Sequence, residues 1–558
     1  MNKIFKVIWS KSKQCYVVVS EMAKNKTGKK KIVVASILAL LAVTGNIVQV
    51  DAVTAPGNRS GFSNADAGVQ FVSSGGDGRN GLVIGPGNFT GAASSNNTVA
   101  LGNSATVAIG MHSNAKQSSA VAIGGAVVDG GSAVGLGWTE ASGAGAVAIG
   151  GDGTSSNGAG SVAIGNSHAT GANSFAVSGG TATGGNTFAA VGGTASAASA
   201  TAIGLEASST ATDAIAMGRK ANATGISATA IGPLAGASGA SAAAFGLQAN
   251  AGGQDSLAIG NNANASGRSS FAGGLNSAAA GTGALALGDT AKANSDRTIA
   301  IGPSAIANDA DSVAIGTRGT TANKGGLAVG VNANATSNAW SNVALGLDIN
   351  AKSTSGGAVG VGRESEATGS NSVAMGKKAK ATNSNAVGVG YEAEATNANA
   401  VAMGRKVYAN TAGSVALGSN ATASNTGAIA IGGYTTSTNN TSASGDNSVA
   451  LGVSATAAGT KSIAVGNEAQ ATSGSTTALG AKSVASSSAA VAVGYGTQAT
   501  GGYASALGAD AIASNIESTA IGHGTAASGA SSTALGSRAK AGGTAGVGIG
   551  MLANATKD

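Results

Sequence analysis

The chain has 558 residues, of which 92 are glycine, 10 % are charged and 3 % are aromatic, so its composition is far from that of an ordinary multidomain enzyme. Four prolines exclude collagen, one cysteine excludes a disulfide scaffold, and the low charge excludes a charged disordered chain. Residues 1–52 carry the whole net charge of +7, so the neutral remainder has no basic surface for nucleic acid or for a membrane.

The N-terminal segment has the pattern of a secretory signal. Residues 24–31 are rich in lysine, and the next twelve residues, 32–43, are apolar. Twelve helical residues span about 18 Å, which is too short for a bilayer core of about 30 Å. We therefore predict that residues 1–52 are removed by cleavage between Ala52 and Val53. An uncleaved N-terminal anchor is the alternative.

More than twenty residues precede that charged region, which an ordinary signal does not have. Two parts of this stretch, residues 2–10 and residues 15–21, resemble the extended signal peptide region of type V autotransporters. The second part begins with Cys15. The resemblance implies a Gram-negative envelope and a long exported passenger.

The rest of the chain is an internal repeat. An anchor glycine recurs every fourteen residues from Gly204 to Gly330 and again from Gly452 to Gly550. The unit runs x-S-V-A-I-G-x-x-A-x-A-x-G-x, which is long enough for two short strands and two tight turns. About thirty stacked units would share backbone ladders and thus accumulate stability between neighbours. The pattern predicts an all-β parallel solenoid of 14-residue coils.

The first strand of each unit has Val or Ile on one side and Ala on the other. We expect each coil to bury a Val, an Ile and a few Ala. Since the strand is apolar on both sides, a second copy of the chain is expected to cover the side that the coil itself leaves open. A deletion of seven residues, half a unit, would place second-strand sequence where a first strand belongs. It is also expected to turn inward-facing side chains outward and outward-facing ones inward. The predicted core residues are Val162, Ala163, Ile164, Gly165, Leu257, Ala258, Ile259, Gly260, Val313, Ala314, Ile315, Gly316, Val449, Ala450, Leu451 and Gly452.

These repeats resemble the head domain of the YadA-like trimeric autotransporter adhesins. The resemblance implies a left-handed parallel β-roll solenoid that is homotrimeric. Residues 53–98 are irregular and are expected to form an N-terminal cap, and residues 99–558 are expected to form the head repeat domain. The stalk and the C-terminal membrane anchor of that family are expected to be absent from these residues.

No motif for catalysis or for a cofactor stands out. His112, His168 and His523 are far apart and fall in different phases of the repeat. Residues 74–78 approach a calcium-binding repeat only once, whereas a calcium roll needs it in tandem. Charged residues such as Glu364 and Lys377 are interpreted as solvated and scattered singly across units. We expect no enzyme activity, no cofactor and no metal.

The phase of the repeat breaks in a few places. The longest interruption is residues 433–446, Trp340 lies in a sixteen-residue unit, and Trp138 follows an anchor position. Insertions in solenoids fall on loops of one face, often the binding face. The two tryptophans are therefore either exposed contact points or products of neutral loop drift.

The favoured hypothesis is a cell-surface adhesin head. It would attach to an extracellular matrix protein or a host-cell surface, mediate autoagglutination, and reach the outer membrane only through the absent anchor. The alternative is a structural surface-layer or biofilm matrix solenoid without a specific ligand. An ice-binding solenoid would need a regular threonine column, and a β-helix enzyme would need longer coils with clustered Asp, Arg or Lys.

Overall fold

The structure of the protein is a computed structural model that describes most of the chain beyond residue 106. The described residues are 5–10, 15–20, 69–73, 80–84, 99–100, 107–110, 112–337, 340–353, 356–433 and 440–557. They fall within two compact units, Met1–Ser60 and Gly61–Asp558. The predicted cleavage bond between Ala52 and Val53 lies outside the described residues.

Among the described residues, two antiparallel strand pairs precede the repeats. In the first unit, Phe5–Ser10 pairs with Cys15–Ser20. In the second unit, Val69–Ser73 pairs with Asn80–Ile84, and the latter strand continues in parallel onto Val107–Ile109. This hairpin falls in the segment predicted as a cap, and it joins directly to the first-strand sheet of the repeats.

The repeats form a parallel β-solenoid, which confirms the predicted fold class. Each regular coil contributes a first strand of three residues and a second strand of two, as in Leu257–Ile259 and Asn264–Ala265. In the regular coils, first strands pair with first strands and second strands with second strands. The register advances by one unit per coil, so that Leu257 pairs with Phe271 and Asn264 with Ala278. Equivalent positions of successive units therefore form continuous columns.

Irregular units change strand length without breaking the stack. The longer strands are Val134–Ala141, Val147–Ser156, Asn334–Ser337 and Asn350–Ser353. The first of these contains a register shift between Gly137 and Thr139. The last pair of strands is Val547–Ile549 and Asn554–Ala555.

Small side chains fill the interior of most coils. In the unit around Gly260, the residues Ser256, Ala258, Ala263 and Ala265 are at most 2 % exposed. The expectation that each coil buries its Val and Ile is wrong for a single chain, since the equivalent Ile259 is 43 % exposed. Interior side chains are almost all Ala, Ser or Thr, and larger ones such as Val407 and Ile349 are buried in only a few coils, so volume more than hydrophobicity decides which side faces inward.

The interior repeats every half unit. Ser256 and Ala258 are matched seven residues later by Ala263 and Ala265, and all four are buried. The expectation that a half-unit shift reverses inward and outward facing is therefore wrong, because the intervening turn restores the parity. What differs between the halves is the outward chemistry, which is apolar at Leu257 in the first strand and polar at Asn264 in the second.

Buried hydroxyls close the second turn in several coils. The Ser270 Oγ donates to the Gly267 carbonyl at 2.6 Å, and the Ser532 Oγ donates to the Gly529 carbonyl at 2.7 Å. These residues occupy the Ser position of the repeat, just before the first strand. Their hydrogen bonds offset the cost of burying a hydroxyl in the alanine interior.

The anchor glycine is required by both conformation and space. Gly260 has φ +128, and a Cβ on it would lie 2.7 Å from the carbonyl oxygen of Gly274 in the next coil. The backbone conformation is one that L side chains rarely adopt, and the next coil leaves no room for a methyl group. The same two constraints recur at Gly246 and Gly274.

We expect Gly260→Ala to destabilise the solenoid by about 1–3 kcal/mol per chain, because it adds strain at a positive φ and a clash with the next coil. Denaturant or thermal unfolding measures the effect. Gly236→Ala is the control, since Gly236 lies in the second strand and the atom nearest to a methyl group added there would be the Asn250 Oδ1, at 3.5 Å. Equal losses from the two substitutions would contradict this account of the anchor position.

Candidate interaction surfaces

One side of the solenoid is apolar along its length. We call the outward side chains of the first strands the apolar face. The neighbouring coils cover these side chains only in part, so that Ile259, Leu287 and Leu451 remain 43 %, 43 % and 41 % exposed. A continuous apolar surface of this kind marks a contact site on a soluble protein.

The predicted core residues lie on both sides of the first-strand sheet. Ala163, Ala258, Ala314 and Ala450 are fully buried. The four glycines occupy the turn after the strand and have positive φ; they are Gly165, Gly260, Gly316 and Gly452. The remaining eight belong to the apolar face; they are Val162, Ile164, Leu257, Ile259, Val313, Ile315, Val449 and Leu451.

The opposite side of the solenoid is polar. Its second strands carry side chains that bond along the columns, as where the Asn250 Nδ2 donates to the Asn264 Oδ1 at 3.1 Å. Elsewhere the Arg297 Nε and Nη2 donate to the two carboxylate oxygens of Asp311, at 2.5 and 2.9 Å. Polar neighbours fourteen residues apart thus bond to each other at these positions.

Charge concentrates in four consecutive coils. Glu364, Lys378, Glu392 and Lys406 occupy the same turn position in these coils, two residues after the anchor glycine. We call these four residues the charge ladder. The Lys378 Nζ lies 3.8 Å from the Glu364 carboxylate, and the Lys406 Nζ lies 3.9 Å from the Glu392 carboxylate. The sign of the charge therefore alternates from coil to coil.

A second charged column runs beside the charge ladder. It consists of Glu366, Lys380 and Glu394 on the outward side of the second strands, and the Lys380 Nζ lies 3.1 Å from the Glu394 carboxylate. This column lies on the strands Glu366–Ala367, Lys380–Ala381 and Glu394–Ala395. The next second strand along the chain is Tyr408–Ala409. An open groove of about 370 Å³ lies between the two columns, lined by Glu364, Lys378, Lys380, Glu392, Glu394 and Tyr408.

Glu392 is held in its ionised form by its neighbours. A hydrogen bond with Tyr391 lowers the pKa of the Glu392 carboxyl, and Lys406 and Lys378 lower it further, while desolvation acts in the opposite direction. The same hydrogen bond raises the pKa of the Tyr391 hydroxyl. A carboxyl with a lowered pKa stays charged to more acidic pH, so this member of the ladder is negative at neutral pH.

The interpretation of these charges as scattered singly is wrong. Lys377, Lys378 and Lys380 lie in one coil, and Glu392 and Glu394 lie in the next. Because equivalent positions stack, residues fourteen apart in sequence become neighbours in space. The fourteen-residue spacing of Glu364, Lys378, Glu392 and Lys406 was the signal in the sequence that could have identified the ladder.

Both tryptophans of the repeats are exposed. Trp340 is 63 % exposed, and the Lys324 Nζ lies 4.3 Å from its ring centroid. Trp138 is 54 % exposed, and its ring centroid lies 5.2 Å from that of His112. Each indole thus has one side in contact with a neighbouring side chain and the other available to solvent, although the two positions lie in distant coils.

The described residues offer neither a metal centre nor a membrane-spanning helix. They contain no group of three or more His, Cys, Asp or Glu side chains placed to hold a metal ion. Within the same part of the chain, no helix is both long and apolar enough to span a membrane.

Two protein families match the chain. Residues 1–49 match the family model described as the Extended Signal Peptide of Type V secretion system. The family model described as the YadA head domain repeat (2 copies) matches more than half of the chain. The residues it matches are 195–221, 223–249, 251–277, 279–318, 353–406, 412–435, 443–469, 471–497 and 499–553.

Among solved structures, one similar chain is the collagen-binding domain of the Yersinia adhesin YadA. It is 26 % identical over 28 % of this chain and 69 % of that chain, with a TM-score of 0.19. A search of curated proteins found no match.

Proposed function

Because the chain belongs to the YadA-like family of trimeric autotransporter adhesins, we propose that it forms a homotrimeric adhesin head that attaches to host matrix proteins or host cells and mediates autoagglutination. Its type V signal and its head repeats indicate export and a position at the surface of a Gram-negative-type envelope. The family is a non-enzymatic class, and we propose that this chain likewise binds its targets without cleaving them and without a cofactor.

The observation that carries this proposal is the division of the solenoid into two chemically different sides. The apolar face leaves residues such as Ile259 and Leu287 43 % exposed in a single chain, while the second strands on the other side are polar. We propose that three copies bury their apolar faces around one axis. The polar sides then point outward as the surface that meets a ligand.

Binding is expected to be distributed over many coils. Polar side chains occupy the outward position of most second strands, so a long ligand such as a matrix fibre would meet many weak contacts. Linked weak contacts add up to a large avidity. No single residue is then expected to dominate, and Trp138 and Trp340 are proposed as two contact points among many. We further propose that residues 53–98 cap this head and that residues 99–558 form it.

The proposal is tested with the full chain on immobilised collagen, fibronectin and laminin, with serum albumin as the control surface. We expect saturable binding to at least one matrix protein and a gradual loss as whole units are removed. Suitable deletions remove one, two or four units and span residues 255–268, 255–282 and 255–310. The bound matrix protein should be recovered at its original mass.

Two results would contradict the proposal. Equal retention on albumin and on every matrix protein would favour a structural solenoid without a specific ligand. Fragmentation of the matrix protein by the purified chain would contradict the absence of enzyme activity.

A further inference from the structure

We propose that the charge ladder is a self-recognition site at which two copies of this chain, in two separate molecules, meet antiparallel. The inference rests on the proposed function, because it assigns a place and a geometry to autoagglutination. The partner is a second copy of the same four coils.

The first step is the sign pattern. In chain order the ladder is negative, positive, negative and positive, at Glu364, Lys378, Glu392 and Lys406. Neighbouring coils of a parallel β-stack are about 4.8 Å apart. The ladder is therefore a row of four alternating charges on one edge of the solenoid. The column continues with Asp348 before Glu364 and with Asn420 after Lys406, and the antiparallel contact described below places these two residues opposite each other.

The second step is symmetry. A row of four alternating charges becomes its own complement when it is reversed. An antiparallel two-fold contact places Glu364 opposite the partner's Lys406 and Lys378 opposite the partner's Glu392, so every carboxylate meets an ammonium. A parallel contact in register places like charges opposite each other at all four positions. Self-complementary contacts of the first kind are the general form of two-fold association.

The flanking side chains reinforce the same alternation. The coil of Lys378 also carries Lys377 and Lys380, and the coil of Glu392 also carries Glu394. The antiparallel arrangement brings these two central coils together across the two-fold axis. At the outer positions the coil of Glu364 carries a net negative charge and the coil of Lys406 a net positive one. Complementarity thus involves whole coils and extends beyond single pairs.

The third step is accessibility. The Lys378 and Lys406 side chains are 48 % and 42 % exposed, and those of Glu364 and Glu392 are 33 % and 28 % exposed. Their companions on the second strands, such as Lys380, lie on the side of the coil away from the apolar face. The ladder therefore stays outside the contact that we propose for the homotrimer. It can reach a ladder on another molecule.

The geometry also fits the setting of a surface protein. Adhesin heads that project from two opposed cells approach one another from opposite directions, so their chains meet antiparallel. Heads on the same cell project in the same direction and meet parallel. Charge complementarity of exposed groups mainly sets specificity and the rate of encounter. The ladder would therefore favour contacts between cells over contacts between neighbours on one cell.

The alternation also has a role within one chain, because stacked like charges would repel each other. Glu206 and Lys220 show this role in isolation. They occupy the same turn position in two successive coils, and the Lys220 Nζ lies 3.4 Å from the Glu206 carboxylate. The coils immediately before and after this pair carry no charged residue at that position. This pair provides the control for the cost of repulsion inside a chain.

The test uses the full chain with Cys15→Ser and measures association by sedimentation and light scattering at low salt. Variant A carries Lys378→Glu and Lys406→Glu, which makes the ladder entirely negative. Variant B carries Glu364→Lys and Glu392→Lys, which makes it entirely positive. We expect each variant alone to lose at least about tenfold in self-association. A mixture of A and B should associate again, and molar salt should weaken the wild-type contact.

The orientation is tested by disulfide trapping, since the Cys15→Ser background contains no cysteine. A chain with Glu364→Cys is mixed with a chain with Lys406→Cys and oxidised. An antiparallel contact gives mixed disulfides between the two chains, at a yield that falls on dilution. A parallel contact gives disulfides between identical chains.

Several outcomes would overturn the proposal. Wild-type-like association of A or B alone, or no association of their mixture, would show that the ladder is not the contact. The same loss caused by the control Lys220→Glu would assign the effect to repulsion within a chain. If the wild type binds matrix protein but does not self-associate, self-recognition fails while the adhesin function stands. If it does neither, the proposed function fails as well.

Discussion

Deletion of residues 255–268 is expected to give a trimer one coil shorter, whereas deletion of residues 255–261 is expected to give a trimer that trypsin cuts at Arg268. The first deletion removes one whole unit, so Gln254 is followed by Ser269 in the correct phase. The second leaves residues 262–268 as a surplus half coil. Trimeric state by sedimentation and limited trypsin digestion measure the difference.

The surplus half coil has two possible positions, and energetics distinguish them. It could stay in the solenoid, since Ala263 and Ala265 would take the interior places of Ser256 and Ala258. However, every later coil would then be rotated by half a turn, with its apolar strand on the polar side. Leaving the solenoid as a seven-residue loop costs only about 2 kcal/mol in loop closure. The loop is therefore favoured, and it exposes the bond after Arg268.

The chain already accommodates comparable insertions. Gly432 and Gly452 are twenty residues apart, yet the strands on either side of that interval, Ile429–Ile431 and Val449–Leu451, pair directly. A trypsin-resistant product of the seven-residue deletion that melts like the wild type would contradict the argument. It would show that the solenoid can be built from seven-residue half coils.

The spacing of the anchor glycines was enough to predict the solenoid and its register. Gly260 and Gly274 are fourteen residues apart, and that interval is the advance of one coil. Hydrophobicity was a poor guide to the interior, however, because Ile259 is more apolar than Ser256 but only Ser256 is buried. The space between the two facing sheets favours small side chains, and the dimensions of that space cannot be read from the sequence.

The surfaces were harder to predict than the fold. Lys378 and Glu392 are distant in sequence, and their relation emerges only when the fourteen-residue unit is wrapped into coils. The exposure of Trp340 depends on how the sixteen-residue unit places its extra residues, which a repeat consensus does not contain. The ligand depends on the outward polar positions, which carry Asn, Lys, Glu, Thr and Ile in different coils. Such variable columns have no motif that a sequence could reveal.

Aspartate on the apolar face is expected to weaken or abolish trimer assembly, while aspartate on the opposite side of the same coils should be tolerated. The first-strand column Ile299, Val313 and Leu327 pairs directly from coil to coil. In the proposed trimer, each of Ile299→Asp, Val313→Asp and Leu327→Asp places three carboxylates around the axis. Burying each unpaired charge costs on the order of several kcal/mol, and three chains multiply the cost.

The matched control uses the second strands of those coils. Ile306, Thr320 and Asn334 form the equivalent outward column there. Ile299 and Ile306 belong to one coil and are both half-buried in a single chain, so their replacement by aspartate is chemically the same change. If only the apolar face meets other copies, Ile306→Asp, Thr320→Asp and Asn334→Asp together should leave the sedimentation coefficient unchanged and lower the melting temperature only slightly. Dissociation by the control set, or its absence in the apolar-face set, would place the contact between copies on a different surface of the solenoid.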